Sequence, residues 1–352
     1  MKDQRVLFPL MGFALLALLF GLWAGLLRLG WALPHFSTLA IAHGPLMVSG
    51  FLGVLIPLER AVALRQRWMF FAPLSSGVGW IIVFLHPPLG AFFMTLGSLG
   101  MVAILWVMWR RESQLHTLTL LVGGVTWMIG NLLWLAGWPL FRVVIWWMTF
   151  LLLTIAGERL ELQRVLRPSG RERRLFSLPV GILLLGTFLT VWDQSLASRL
   201  QGVAFLGLGA WFLRFDLAIR NLRHPAPLTR YIAIALASGF LWLALSGVLF
   251  LIYGAVYAGL AYDAALHTFF VGFVISMIFG HALMIFPAIV GRAAQFSPRF
   301  YLPLVLLHAS LVLRIFGDWS LQTPLRRWGG MLNVLAILLF FAMMAISFAR
   351  RK

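Results

Sequence analysis

The sequence predicts an all-α, polytopic membrane bundle of about twelve transmembrane helices, formed by residues 1–352 as a single domain. Three observations carry this reading. Hydrophobic residues make up 62% of the chain and charged residues 11%, where soluble domains carry about 25% charged residues, so a soluble globular fold is excluded. The mean hydropathy is +0.95. Apolar stretches of about 20 residues, the length a helix rising about 1.5 Å per residue needs to cross hydrocarbon, recur along the whole chain. The basic residues, finally, fall mainly in alternate gaps between those stretches.

The first apolar run follows Lys2 and Arg5 and extends from Val6 to Leu27. It exceeds the about 7–15 residues of a signal-peptide core and has no small-residue cleavage site behind it, so it reads as a retained first span over 7–27. Charged or Pro/Gly clusters then delimit spans at 36–58, 69–85, 90–109, 115–137 and 139–157. Six more follow at 175–192, 198–213, 231–253, 264–287, 301–316 and 328–348. Short turns such as Leu85-His86-Pro87-Pro88-Leu89-Gly90 and Gly137-Trp138-Pro139 make consecutive spans antiparallel neighbours. The two halves share no pattern of broken helices, which weighs against an inverted-repeat transporter.

An even number of spans puts both termini on one side. Most of the 28 Lys and Arg lie there: Lys2 and Arg5, Arg60, Arg65 and Arg67, Arg110 and Arg111, six Arg from Arg159 to Arg174, four from Arg214 to Arg230, Arg292 and Arg299, and Arg350 to Lys352. The other side keeps Arg28, Arg142, Arg199, Arg314, Arg326 and Arg327. The positive-inside rule then makes both termini cytoplasmic, in a cell inner membrane. A net charge of +18 would suggest nucleic acid as the partner of a soluble chain. Here the alternation accounts for it as topology, so membrane lipid is the expected partner and nucleic acid is not.

Cysteine is absent, which removes disulfides, thiolate metal ligands and covalent haem attachment. An ionisable group inside hydrocarbon costs at least about 2.5 kcal/mol and calls for a partner or a function. Of the eight histidines, His86, His116 and His224 fall in turns or at a span mouth, and His35 at the interface. His43, His267, His281 and His308 fall inside spans. His43 and His267, on spans that start from the same side, come to about 10 Å and 6 Å of depth at about 1.5 Å per residue, and two imidazoles at one level suit the axial positions of a haem b. His281, on the same helix face as His267 but about 21 Å further in, comes within a turn of His308; a second metal or haem site, or a histidine–histidine or histidine–backbone hydrogen bond, would account for that pair.

The segment His43-Gly44-x-x-Met47 running to Pro57-Leu58 and Ala61 resembles the second transmembrane helix of haem-copper oxidase subunit I. The segment His267-Thr268-Phe269-Phe270-Val271-Gly272 through Met277 to Gly291-Arg292 resembles both that family's tenth helix and the late His-x-x-x-Val-Gly-x-x-x-x-Met segment of the NnrS family. Both resemblances imply a twelve-span haem protein, with His43 and His267 as iron ligands. Arg326-Arg327, between spans 11 and 12, resembles the Arg pair that holds haem propionates, which suits the guanidinium–carboxylate match. Spans 139–157 and 175–192 contain no histidine, so the copper site of the oxidases is not expected, and Phe269 stands where their tenth helix carries a further histidine.

The expectation is a haem b protein acting in electron transfer or, by resemblance alone, in nitric-oxide-related metabolism, with a redox partner protein or a quinone. The competing class is a cofactor-free transporter or channel, in which His43, His267, His281 and His308 line a proton or substrate path with Glu59, Glu158, Asp216 or Asp263 as coupling charges. A third is a structural subunit of a respiratory complex. No hydrolytic constellation or phosphate loop is present.

Overall fold

The computed structural model describes residues 4–166, 168–291 and 295–349. Lys2, Arg167, Arg292, Arg350, Arg351 and Lys352, which enter the charge asymmetry, lie outside the described residues, and so does the Arg292 end of the span 10 motif. Among the described residues there is no strand, and the long helices correspond one for one to the twelve expected spans. The first six are α1 (Gln4–Arg28), α2 (His43–Leu64), α3 (Phe71–Ile82), α4 (Pro87–Arg111), α5 (Leu115–Leu135) and α6 (Leu140–Gln163). They are followed by α7 (Gly170–Leu189), α8 (Gln194–Phe215), α9 (Pro227–Tyr253), α10 (Gly259–Pro287), α11 (Tyr301–Trp319) and α12 (Thr323–Ala349).

Ten of these are long and apolar enough to cross a membrane. The other two are α3 and α7. Helix α3 has 12 residues, about 18 Å of rise against a hydrocarbon core of about 30 Å. Helix α7 begins with Arg171, Glu172, Arg173 and Arg174 inside its first turns, which leaves an apolar remainder too short to span.

The helix ends follow local chemistry. Pro87 and Pro227 stand at first helical positions, where the missing N–H costs nothing. Ser169 and Glu172 satisfy each other's backbone N–H groups at the start of α7, and Asp193 accepts from the N–H groups of Ser195 and Leu196 at the start of α8. His86 accepts from Leu89 N at 3.1 Å, so this histidine is a helix cap, and His224 likewise accepts from Ala226 N. His116 lies in the first turn of α5, 3.9 Å from Glu112.

Two helices depart from α-geometry, and both carry a candidate histidine just before the departure. In α2 the chain runs as a π-helix over Leu46–Leu52, three residues after His43. In α10 it does so over Thr268–Ile275, directly after His267. A π segment widens the turn and re-aims the side chains around it, a device concentrated at functional sites.

The chain divides into two compact units, Met1–Leu160 and Glu161–Lys352. In the first, α1 lies along the π segment of α2, and α3, α4 and α5 pack in sequence. A polar network is buried in its interior. Asn131 Oδ1 accepts from Trp147 Nε1 at 2.9 Å and from Ser49 Oγ at 3.2 Å, Ser49 Oγ accepts from Trp127 Nε1, and Asn131 Nδ2 donates to the Met94 carbonyl. At the far end of α2, Arg60 pairs with Glu158.

In the second unit α8 packs between α7 and α9, α9 lies along α10, and α11 and α12 form a close hairpin. Two glycines set the closeness of that hairpin. A Cβ on Gly317 would stand 2.4 Å from Arg326 N, and one on Gly329 would stand 2.5 Å from Arg314 N. Each glycine therefore fixes the position of an arginine on the opposite helix.

Candidate functional site

In the first unit the site is His43. It is the first residue of α2, preceded by turns over residues 37–42, so it stands at a helix start and not about seven residues into a span. Its Nδ1 lies 2.8 Å from the Gly21 carbonyl of α1. A carbonyl only accepts, so Nδ1 carries the proton and the lone pair is on Nε2, the tautomer of a metal-ligating imidazole. The contact requires small residues on α1. A Cβ on Gly25 would lie 3.0 Å from His43 Cε1, and one on Gly21 2.6 Å from Met47 Sδ. The signal for this was Gly21-Leu22-Trp23-Ala24-Gly25, two glycines four apart that open one helix face to a neighbour.

In the second unit the site is a charged cluster where α10, α11 and α12 meet. Helix α10 starts at Gly259, so His267 closes a nine-residue α-helical stretch and lies deeper in its helix than a span starting at 264 places it. Its Nδ1 is 2.9 Å from the Asp263 carbonyl oxygen and 3.2 Å from Asp263 Oδ1. The residue one turn earlier thus supplies both acceptors. A carboxylate behind a histidine fixes its orientation and raises its basicity as a ligand.

Asp263 is held in turn by Arg314, whose Nε and terminal nitrogen donate to the two carboxylate oxygens at 2.8 and 2.7 Å. This two-pronged pair is buried, with side-chain exposures of 8% and 11%, so each charge depends on the other. Arg326 Nε stands 3.6 Å from Asp263 Oδ2 and 3.1 Å from Asp318 Oδ1. Arg326 and Arg327 belong to the first turns of α12 and not to a loop. Arg326 is therefore already engaged with two carboxylates of the chain.

His281 and His308 differ from each other. His281 Nδ1 donates to the Met277 carbonyl at 2.8 Å, the same arrangement as in His43 and His267. His308 Nδ1 accepts from Trp242 Nε1 at 2.9 Å, with the two rings stacked, so its proton sits on Nε2. That tautomer binds no metal through Nε2, and its Nδ1 is occupied by the indole.

Among the described residues no three His, Asp or Glu side chains converge to hold a metal ion. A haem asks for less, since its macrocycle supplies four of the iron's six donors and the protein one or two. His43 and His267 fit that requirement in tautomer. Of the expected site residues, the second unit brings His267 and Arg326 to one cluster through Asp263. Reading the sequence missed Arg314 and Asp318 as members of it. Asp263 and His267, an acid and a histidine four apart in a chain with only 10 carboxylic residues, were the available signal.

No curated protein matches the chain at a significant level. A family profile does, over residues 5–349. The chain therefore belongs to the family described as a domain of unknown function, DUF8744.

Proposed function

We propose that this multi-pass membrane protein is a haem b protein of the cell inner membrane, acting in electron transfer or nitric-oxide-related metabolism, with His43 and His267 as its iron ligands. The observation that carries it is the shared tautomer of these two histidines, each anchored through Nδ1 on a backbone carbonyl and each followed by a π segment. The resemblance of the His43 segment to a haem-copper oxidase helix, and of the His267 segment to helices of that family and of NnrS, supports the same ligands. The basic residues gathered in alternate loops support twelve passes with both termini cytoplasmic.

A haem would supply a one-electron Fe(III)/Fe(II) couple. The chain's own work would be to hold and tune it. Asp263 orients His267 and strengthens it as a donor, and Arg314 holds Asp263 in place. Gly25 leaves room for the His43 ring. Of the four carboxylates that a histidine-lined transporter would use for coupling, Glu158 and Asp263 are paired with Arg60 and Arg314, and Asp216 accepts from Ala218 N.

The test is an optical spectrum of the purified full chain, oxidised and then dithionite-reduced, with a pyridine haemochrome to count haem. A sharp reduced α band with about one haem per chain is expected, lost in His43→Ala and in His267→Ala and kept in His86→Ala. A featureless spectrum after expression with ample haem would move the assignment to the transporter.

A further inference from the structure

Helix α7 packs on α8 along nearly its whole length. Trp211 Nε1 donates to the Glu172 carbonyl at 3.0 Å, Phe176 meets Trp211 with ring centroids 5.0 Å apart, and Gln201 Nε2 donates to Thr187 Oγ1 at 2.8 Å. A Cβ on Gly207 would stand 2.9 Å from Pro179 Cβ. Helix α8 is long and apolar enough to cross a membrane, and residues 172–187 of α7 share the depth of residues 201–211 of α8. The side of α7 turned away from α8 therefore meets lipid, although α7 itself is too short to span.

That side changes chemistry once along its length. Arg171, Arg174, Leu178, Gly181, Leu185 and Phe188 follow one another at steps of three and four residues, which sets them on one face of the helix. All six are exposed, Leu178 by 65%, and a Cβ on Gly181 would meet nothing within 4 Å. Two guanidiniums thus head an apolar track about 15 Å long, half the hydrocarbon core of about 30 Å. Arg173, in the same turn, and Arg214, three residues past Trp211 at the end of α8, bring the guanidiniums at this end to four. Among the described residues none of the four pairs with a carboxylate. Arg174 Nε donates to the Gly170 carbonyl at 3.4 Å, and Arg214 lies over the Phe215 ring. The carboxylates nearest in sequence, Glu172 and Asp216, cap helix starts.

We infer that α7 and the end of α8 hold an anionic phospholipid, its phosphodiester at Arg171, Arg174 and Arg214 and its acyl chains along Leu178, Gly181, Leu185 and Phe188. Guanidinium groups match phosphate oxygens two at a time. Charge selects an anionic head, since a zwitterionic lipid brings its own ammonium to guanidiniums that lack a counter-ion, and anionic lipid attracts each such arginine. Depth selects a lipid over an acidic protein, because the track runs from the arginines into the membrane, where a soluble partner cannot follow. The site stands whether or not the chain carries haem.

The experiment is native mass spectrometry of the full chain in amine-oxide micelles, titrated separately with dioleoylphosphatidylglycerol, dioleoylphosphatidylcholine, the tail-free headgroup glycerophosphoglycerol and a hexaglutamate peptide. One phosphatidylglycerol per chain is expected, in preference to the other three probes. Arg171→Gln combined with Arg174→Gln should weaken it about tenfold or more, the sum of two arginines at an anionic lipid surface. Arg220→Gln combined with Arg223→Gln removes the same charge from exposed positions of the same unit and should leave it unchanged. Both pairs are exposed and melting curves check that the variants fold; Arg171→Gln alone, with about half the effect on a logarithmic scale, decides if the first pair does not. No retained phosphatidylglycerol, equal retention of phosphatidylcholine or of the tail-free headgroup, displacement of the lipid by hexaglutamate, or equal losses in the two double variants overturns the inference.

Discussion

Asp263 and Arg314 lie 51 residues apart in sequence and meet through two parallel hydrogen bonds of 2.8 and 2.7 Å, and the same carboxylate also accepts from His267 one turn along α10. One buried ion pair thereby fixes the orientation of a candidate ligand and locks α10 to α11. Its removal has a structural and a chemical consequence that can be measured separately.

Asp263→Ala should destabilise the chain by about 3–5 kcal/mol, because it strands a buried guanidinium. The double variant Asp263→Ala, Arg314→Leu should recover part of that loss. Thermal unfolding in detergent of the two single variants and the double variant checks it. Additive losses would mean that the pair is not coupled.

Gly25→Ala should leave the fold of the first unit largely intact but crowd the His43 ring, whose Cε1 lies 3.0 Å from the new Cβ. Small-to-large changes at packed sites cost about 1–3 kcal/mol. The expected result is reduced haem content with a melting temperature lowered by a few degrees. Full haem content would show that the ring position is not limiting.

Gly329→Ala places a methyl 2.5 Å from Arg314 N and should push α11 and α12 apart, lowering the melting temperature and weakening the Asp263–Arg314 pair with it. Gly12→Ala is the control. A Cβ there meets nothing within 4 Å, so the change should be neutral or stabilise by up to about 1 kcal/mol through helix propensity.

Asn131→Leu should cost about 1–3 kcal/mol for each orphaned partner, and Trp147 Nε1 and Ser49 Oγ both lose their acceptor. Asn131→Asp, fully buried, is held as the neutral acid and keeps an acceptor for both, with an O–H in place of the amide donor toward Met94. Melting curves that rank Asn131→Leu no lower than Asn131→Asp would contradict the network as the source of stability.

The sequence by itself determined the helical, multi-pass architecture and the order of its apolar helices, because hydropathy and turn residues act locally and a bilayer-length apolar run has few other outcomes; of the twelve spans expected, ten helices are long and apolar enough to cross a membrane. It also singled out His43 and His267. Helix boundaries were less legible: α2 begins at His43 and not near residue 36, α3 is shorter than a bilayer requires, and α7 spends its first turns on charged residues. Only the tertiary structure decided which nitrogen of each histidine carries the proton, for that depends on whether Gly21, Asp263, Met277 or Trp242 faces the ring. It alone paired Asp263 with Arg314 and set Arg326 beside Asp318. Such pairings join residues on different helices, and they are set by how closely glycine-lined helices approach, a quantity that no local pattern encodes.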